Sequence, residues 1–186
     1  YQLMARISRL YTSFAGTLDS VLAELLRSRS TRLGEATSKW LCTTLLQRLR
    51  AYAEVALEAN AESGLRATLA VPLRDEHHSV FALRVWCYDE PYHERRWSIL
   101  PLGREGAAAA FGSGELRIIP DVRSLADVEK PERLPDRSIL SIPVYAGGPN
   151  GSALAVVSVD ARSAGFFRDH EVREKLIPMV QPVVNT

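Results

Sequence analysis

Two stretches, Ser138-Ile-Leu-Ser-Ile-Pro-Val-Tyr145 and Ala153-Leu-Ala-Val-Val-Ser-Val-Asp160, decide the fold. Each is eight residues of mostly apolar, β-branched side chains, and Gly147, Gly148, Pro149, Asn150 and Gly151 stand between them. Runs of that length and type are strands, and so dense a cluster of turn formers returns the chain antiparallel, so the pair reads as a hairpin. A second hairpin lies upstream. Ala67, Leu69, Val71 and Leu73 alternate with period two, Val80 to Tyr88 makes the partner strand, and the polar residues from Arg74 to Ser79 join them.

Between and around the hairpins the period changes. Leu116 to Ile119 is a short strand, and Leu102 to Glu115 is rich in Gly and Ala. Asp121 to Arg137 reads as loop with Pro131 and Pro135, just after Pro120; Ser124 and Asp127 within it are spaced like a helix-opening box. Upstream of the first hairpin, Leu41, Leu45, Leu49, Tyr52, Ala56 and Ala59 form one helical stripe that should stop near Asn60 to Gly64. Further upstream, Ile7, Leu10, Phe14, Leu18, Val21 and Leu25 recur every three or four residues, the seam of an amphipathic helix. The seam is close to a heptad, so it suits pairing with a second chain as well as packing at home. Asp169 opens a last helix that Pro178 and Pro182 should truncate or kink. Strands and helices are thus segregated, which predicts an α+β fold: an antiparallel sheet of five or six strands flanked by helices, with an N-terminal helical extension. The division expected is a helical signalling segment over 1–34 and one domain over 35–186.

Composition narrows the function. A chain of 186 residues with 46% apolar and 24% charged residues is long enough for one well-buried domain, and a net charge of +1 supplies no field for nucleic acid. Two cysteines, Cys42 and Cys87, with no Cys-x-x-Cys pair read as reduced thiols in a cytoplasmic protein. No run is apolar for the roughly 20 residues that a bilayer needs. The chain opens at Tyr1 already inside a helical pattern, which leaves room for an upstream domain or a membrane segment.

From about Ser38 to Val184 the order of elements resembles the GAF domain family. Leu100-Pro-Leu-Gly-Arg-Glu-Gly-Ala-Ala-Ala-Ala-Phe-Gly-Ser-Gly-Glu-Leu-Arg-Ile-Ile-Pro-Asp-Val122 is similar to the family's glycine, small-residue helix, Ser-Gly-Glu, short strand and Asp-Val run. Ser138 to Val144, Gly151 to Val159 and Phe167-Arg-Asp-His-Glu171 are similar to its serine-strand-proline, its next strand and its entry to the last helix. The resemblance implies a sensory and dimerisation module. Members that signal through the last helix keep it long, and the prolines here shorten it, so signal should pass through the N-terminal helices. The Asn-Lys pair of members that bind cyclic nucleotides is replaced by the Val159-Asp-Ala-Arg162 stretch, which argues against that ligand.

Catalytic patterns are scarce. His77 and His78 sit together on a turn, a poor geometry for zinc; the other two histidines are His93 and His170. The glycines at 103, 106, 112 and 114 match no phosphate-binding loop, and Phe111-Gly-Ser-Gly-Glu115 is no nucleophile elbow. Some GAF-like proteins reduce free methionine sulfoxide through a nucleophilic cysteine; Cys42 in a helix and Cys87 on a strand are poorly placed for it. The expectation is therefore no enzyme, no cofactor and no metal. A small-molecule ligand would sit between the Ala107–Ala110 helix and the central strands, where four alanines leave space. Trp86, Trp97, Arg104, Asp121, Arg123, Ser138 and Ser141 are the candidate walls, and Trp86 and Tyr88 should share a strand face with Arg84. A homodimer is expected, and the same features also fit a dimerisation scaffold whose pocket is filled.

Overall fold

The computed structural model describes residues 34–60, 62–89, 99–125, 137–145 and 153–178. The Ile7–Leu25 seam and Trp97 lie outside these residues. Helix α1 spans Glu35–Ala56, and strands β1 (Arg66–Arg74) and β2 (Val80–Tyr88) form the first hairpin. A three-residue strand β3 (Ile99–Pro101) follows, then helix α2 (Ala107–Ser113), strand β4 (Arg117–Ile119) and a 3₁₀ turn at Val122–Ser124. The second hairpin is β5 (Ser138–Tyr145) and β6 (Ala153–Ala161), and a short helix α3 (Asp169–Glu171) runs into a wide π-type turn at Val172–Leu176.

The six strands make one sheet in the order β3-β2-β1-β6-β5-β4, every neighbouring pair antiparallel. The α+β architecture with six strands is as the sequence predicts. Both hairpins fall where the alternation puts them, and β1 pairs with β6 to join them at the centre. Strand β3 was not expected. Its three residues fall just before the Gly- and Ala-rich segment and are too few to show a period, and pairing with Ala82, Leu83 and Arg84 of β2 makes it a strand.

Helix α1 covers one face of the sheet. Its buried stripe is Leu41, Leu46, Leu49, Tyr52, Ala53 and Ala56, so Leu46 takes the place expected for Leu45, which is half-buried. All of the stripe but Leu41 shares a core with Ala67, Cys87, Leu140, Ile142, Val159 and Ala161 of the strands, and with Phe167, Val172 and Leu176 from the C-terminal end. The helix stops at Ala56, short of the expected Asn60 to Gly64. The carboxamide of Asn60 instead accepts from the amides of Glu62 and Ser63, at 3.0 Å each, and shapes the turn into β1.

Three polar contacts fasten α1 to the rest. The guanidinium of Arg50 lies 3.1 Å from the carboxylate of Asp89, which is 2% exposed, and Gln47 donates to the Asp89 carbonyl at 2.8 Å. Two residues further along the helix, the Tyr52 hydroxyl donates to the Lys175 carbonyl at 2.8 Å, and burial pushes that phenol's pKa up.

Helix α2 covers the opposite face, where Ala107 and Ala110 meet Ala70, Leu83 and Val156. It ends at Gly114, whose φ of 67° is left-handed and whose N–H returns to the Ala110 carbonyl. A side chain there would be strained and would also strike the Tyr145 hydroxyl, 2.8 Å from where its Cβ would lie.

Candidate functional site

The sheet face under α2 is built from the register of five strands. Tyr88 stands opposite Thr68, Thr68 opposite Ser158, Ser158 opposite Ser141, and Ser141 opposite Arg117. Directly opposed residues share a face, so these five side chains form one polar row across β2, β1, β6, β5 and β4. Thr68, Ser141 and Ser158 are buried, and the two serine hydroxyls lie 3.0 Å apart in a mutual hydrogen bond. The next row towards α2 is apolar: Val85, Ala70, Val156 and Pro143. The row on the other side pairs Arg66 with Asp160, and that carboxylate is 5% exposed.

Such a row is unusual on a face that a helix roofs. Burying a hydroxyl without a partner costs on the order of 1–3 kcal/mol, so covered faces are normally apolar, as this sheet's other face is. The row ends in a cation. Arg117 is half-buried, and its guanidinium lies 3.9 Å from the Glu115 carboxylate.

Of the residues expected to line a pocket here, Ser141 is in the row. Ser138 belongs to the other face, where its hydroxyl donates to the Ile119 carbonyl at 3.1 Å and accepts from the Phe167 amide at 3.4 Å. Trp86 packs against the core beneath α1. Trp86, Tyr88 and Arg84 were expected on one face, but the register slips at Leu69/Ala70, where Leu69 opposes Cys87 and Ala70 opposes Val85. Trp86 is the extra residue of that bulge, so Tyr88 turns to the α2 face while Trp86 does not. Arg104 and Arg123 are exposed.

The carboxylate of Asp121 is already engaged. It caps the 3₁₀ turn by accepting from the Arg123 amide at 3.1 Å, and both its oxygens take hydrogen bonds from Arg137, which leads into β5. Arg137 and the capping amide hold its pKa at about 2, against an ordinary 3.8. A folded-state pKa below the unfolded one means that the pair's stabilisation is complete above 3.8 and fades as pH falls through about 2. Asp121→Asn should therefore flatten the pH dependence of the thermal midpoint within that acid window and leave the rest of the profile parallel to wild type. Equal slopes in the two proteins below pH 3.8 would show that the pair adds nothing.

Both cysteines lie on the α1 side. Cys87 is buried in the core there, and Cys42 packs against the same cluster. Burial and the neighbouring Cys42 push the Cys87 thiol up to about 12, and burial also raises Cys42. Among the described residues no group of three or more His, Cys, Asp or Glu side chains is arranged to hold a metal ion. An open groove of about 490 Å³ lies beyond the β4 edge, between Leu116, Ile118 and Pro120 on one side and Gly165, Phe167 and Arg168 on the other. Row residues other than Arg117 do not line it.

No protein-family model matches the chain, and no curated protein matches it significantly by sequence. Solved structures do. A structure of the GAF domain superposes with a TM-score of 0.62 at 16% identity, covering 98% of this chain and 87% of that one. This chain has the GAF fold. The candidate GAF sensor protein from Burkholderia vietnamiensis aligns with a TM-score of 0.53 at 14% identity, over 96% of this chain and 93% of its own. The free methionine-R-sulfoxide reductase from Neisseria meningitidis, solved with its substrate, aligns with a TM-score of 0.51 at 16% identity, over 81% and 86%. The GAF fold is thus common to sensors and to an enzyme among the neighbours, and likeness at these identities speaks to fold alone. Among the described residues no helix is long and apolar enough to cross a membrane.

Proposed function

We propose that this GAF-fold chain is a non-catalytic sensory domain that binds a small cytosolic molecule on the hydroxyl row and relays the event through its N-terminal helices. The observation that carries this reading is the row itself. Five polar side chains in register beside the apolar row that α2 covers are an expensive way to fill a core and a cheap way to meet a polar ligand. Arg117 at one end would suit an anionic group, and the apolar row under α2 would suit a hydrocarbon part. Relay through α1 is favoured because that helix backs the same strands from the opposite side, and because the Ile7–Leu25 seam precedes it in the chain.

The reductase reading requires a nucleophilic thiol near the row. Cys42 and Cys87 lie on the other side of the sheet, and a thiol pushed up to about 12 is almost entirely protonated at neutral pH. No reduction of free methionine sulfoxide is expected with a thiol reductant.

Native mass spectrometry of protein purified without denaturation tests binding and association together. A retained small molecule that disappears in Ser141→Ala and in Arg117→Gln, with circular dichroism unchanged, is the expected result. The chain should also run as a dimer, and Leu18→Glu with Val21→Glu should give monomers by light scattering. An empty wild-type protein, unaffected in thermal midpoint by either substitution, would reduce the row to packing and favour a dimerisation scaffold with a filled interior.

A further inference from the structure

Cys42 and Cys87 belong to one core cluster and take no part in ligand binding on the hydroxyl row. Cys42 and Cys87 are the chain's only cysteines. Cys87 is on β2, directly opposite Leu69, with its side chain in the core beneath α1. Its sulfur approaches the Lys39 carbonyl of α1 at 4.0 Å. Cys42 follows Lys39 by three residues, one helical turn, and side chains on a helix lean back over the turn that precedes them. The Cys42 side chain is therefore turned toward Cys87, it packs against the same core cluster, and the two thiols are near enough that each shifts the other's pKa. Cys42 is half-buried and Cys87 is 3% exposed, so the pair has one open side.

We propose that Cys42 and Cys87 are a modification site at which a hydroperoxide closes an intramolecular disulfide, tying the first half of α1 to β2. The accessible Cys42 reacts first. Its sulfur attacks the peroxide, the O–O bond breaks, and the products are a sulfenic acid at Cys42 and an alcohol, or water when the oxidant is hydrogen peroxide. The Cys87 sulfur then attacks the Cys42 sulfur, forms the S–S bond and releases water, its proton leaving with the hydroxide. In total two thiols are oxidised by two electrons and one peroxide is reduced. Because both thiol pKa values lie above 9.0, the thiolate fraction and the closure rate should rise about tenfold per pH unit near neutrality.

The bond would close a loop that runs through the rest of α1 and both strands of the first hairpin. It would also fix the end of α1 where the N-terminal segment enters. The expected consequence is a switch between a helix that can shift on the sheet and one that cannot, independent of whether the hydroxyl row is occupied.

The test uses the full chain, reduced, freed of reductant and treated with a small excess of hydrogen peroxide. The expected product has lost two hydrogen masses, has no free thiol after unfolding in guanidinium, and yields one peptide pair linking Cys42 to Cys87. It remains of unchanged size on a non-reducing gel. Cys87→Ser should instead trap a sulfenic acid on Cys42 that a dimedone probe labels, and Cys42→Ser should leave Cys87 largely unreacted over the same time. The proposal is overturned if two free thiols survive, if each cysteine gains oxygen without linkage, or if the only disulfides formed join two chains.

Discussion

Phe167→Ala should lower the stability of the domain by about 3 to 5 kcal/mol, the range for removing a fully buried aromatic ring. Phe167 is 2% exposed, its ring meets that of Phe166 edge-on at 5.1 Å between centroids, and its amide donates to the Ser138 hydroxyl. It is the point at which the chain leaves β6 and enters the C-terminal helical turns. Without the ring, Val172 and Leu176 lose the neighbour that seats them beside α1. Urea unfolding gives the size of the loss. Hydrogen exchange gives its location, which should be the Asp169–Leu176 segment before any strand. A loss under about 1.5 kcal/mol would mean that the site collapses around the cavity far better than a close-packed core normally does.

The second large effect is expected at Arg50. Its partner Asp89 is almost wholly enclosed, so Arg50→Ala leaves a buried carboxylate without its guanidinium, at a cost of about 2 to 3 kcal/mol. The figure is below the usual loss for a buried pair because the Arg50 side chain is 23% exposed and water partly screens the interaction. Asp89→Asn in the Arg50→Ala background should recover much of the loss, since a neutral amide needs no counter-charge. Unfolding of the single and double variants measures the coupling directly, and a double variant no better than the single one would place the cost in lost packing by the arginine stem.

How much of this was legible in the residues depends on which link of the chain is considered. The hairpins were, because period-two alternation over eight or nine residues and glycine-rich turns are strong local signals. Helix α1 was legible to within one step of its stripe; Leu45 and Leu46 are both apolar, and only the sheet surface decides which one it covers. Strand β3 was not legible, since three residues have no period to read and pairing with β2 alone defines them. The candidate site was read in part. Ser141 was found because it follows a serine, strand, proline pattern, and Ser138, three residues earlier and so on the opposite face, was assigned with it although the Ile119 carbonyl and Phe167 amide occupy its hydroxyl. Trp86 went to the other face because one bulge shifts the parity of a strand, and nothing at Trp86 itself announces it. Thr68, Ser158 and Arg117 were missed, and Tyr88 was read only as sharing a face with Trp86 and Arg84. Each is unremarked alone, and only the cross-strand register, a long-range property, puts them in line. A signal did exist: Ser158 and Thr68 each interrupt an otherwise apolar strand.

The hydrogen bond between Ser141 and Ser158 bears on what the row can tell apart. Either hydroxyl can be its donor, and each serine offers one hydrogen and two lone pairs. Rotating two protons therefore reverses the direction of the bond without moving a heavy atom, and the outer hydroxyl changes from giver to receiver. A surface of that kind is polarity-neutral: it greets a carbonyl and an amine with nearly equal ease. Discrimination among visiting molecules would then fall to the features that cannot rotate away, the fixed positive charge of Arg117 at one end and the apolar row that lies alongside under α2.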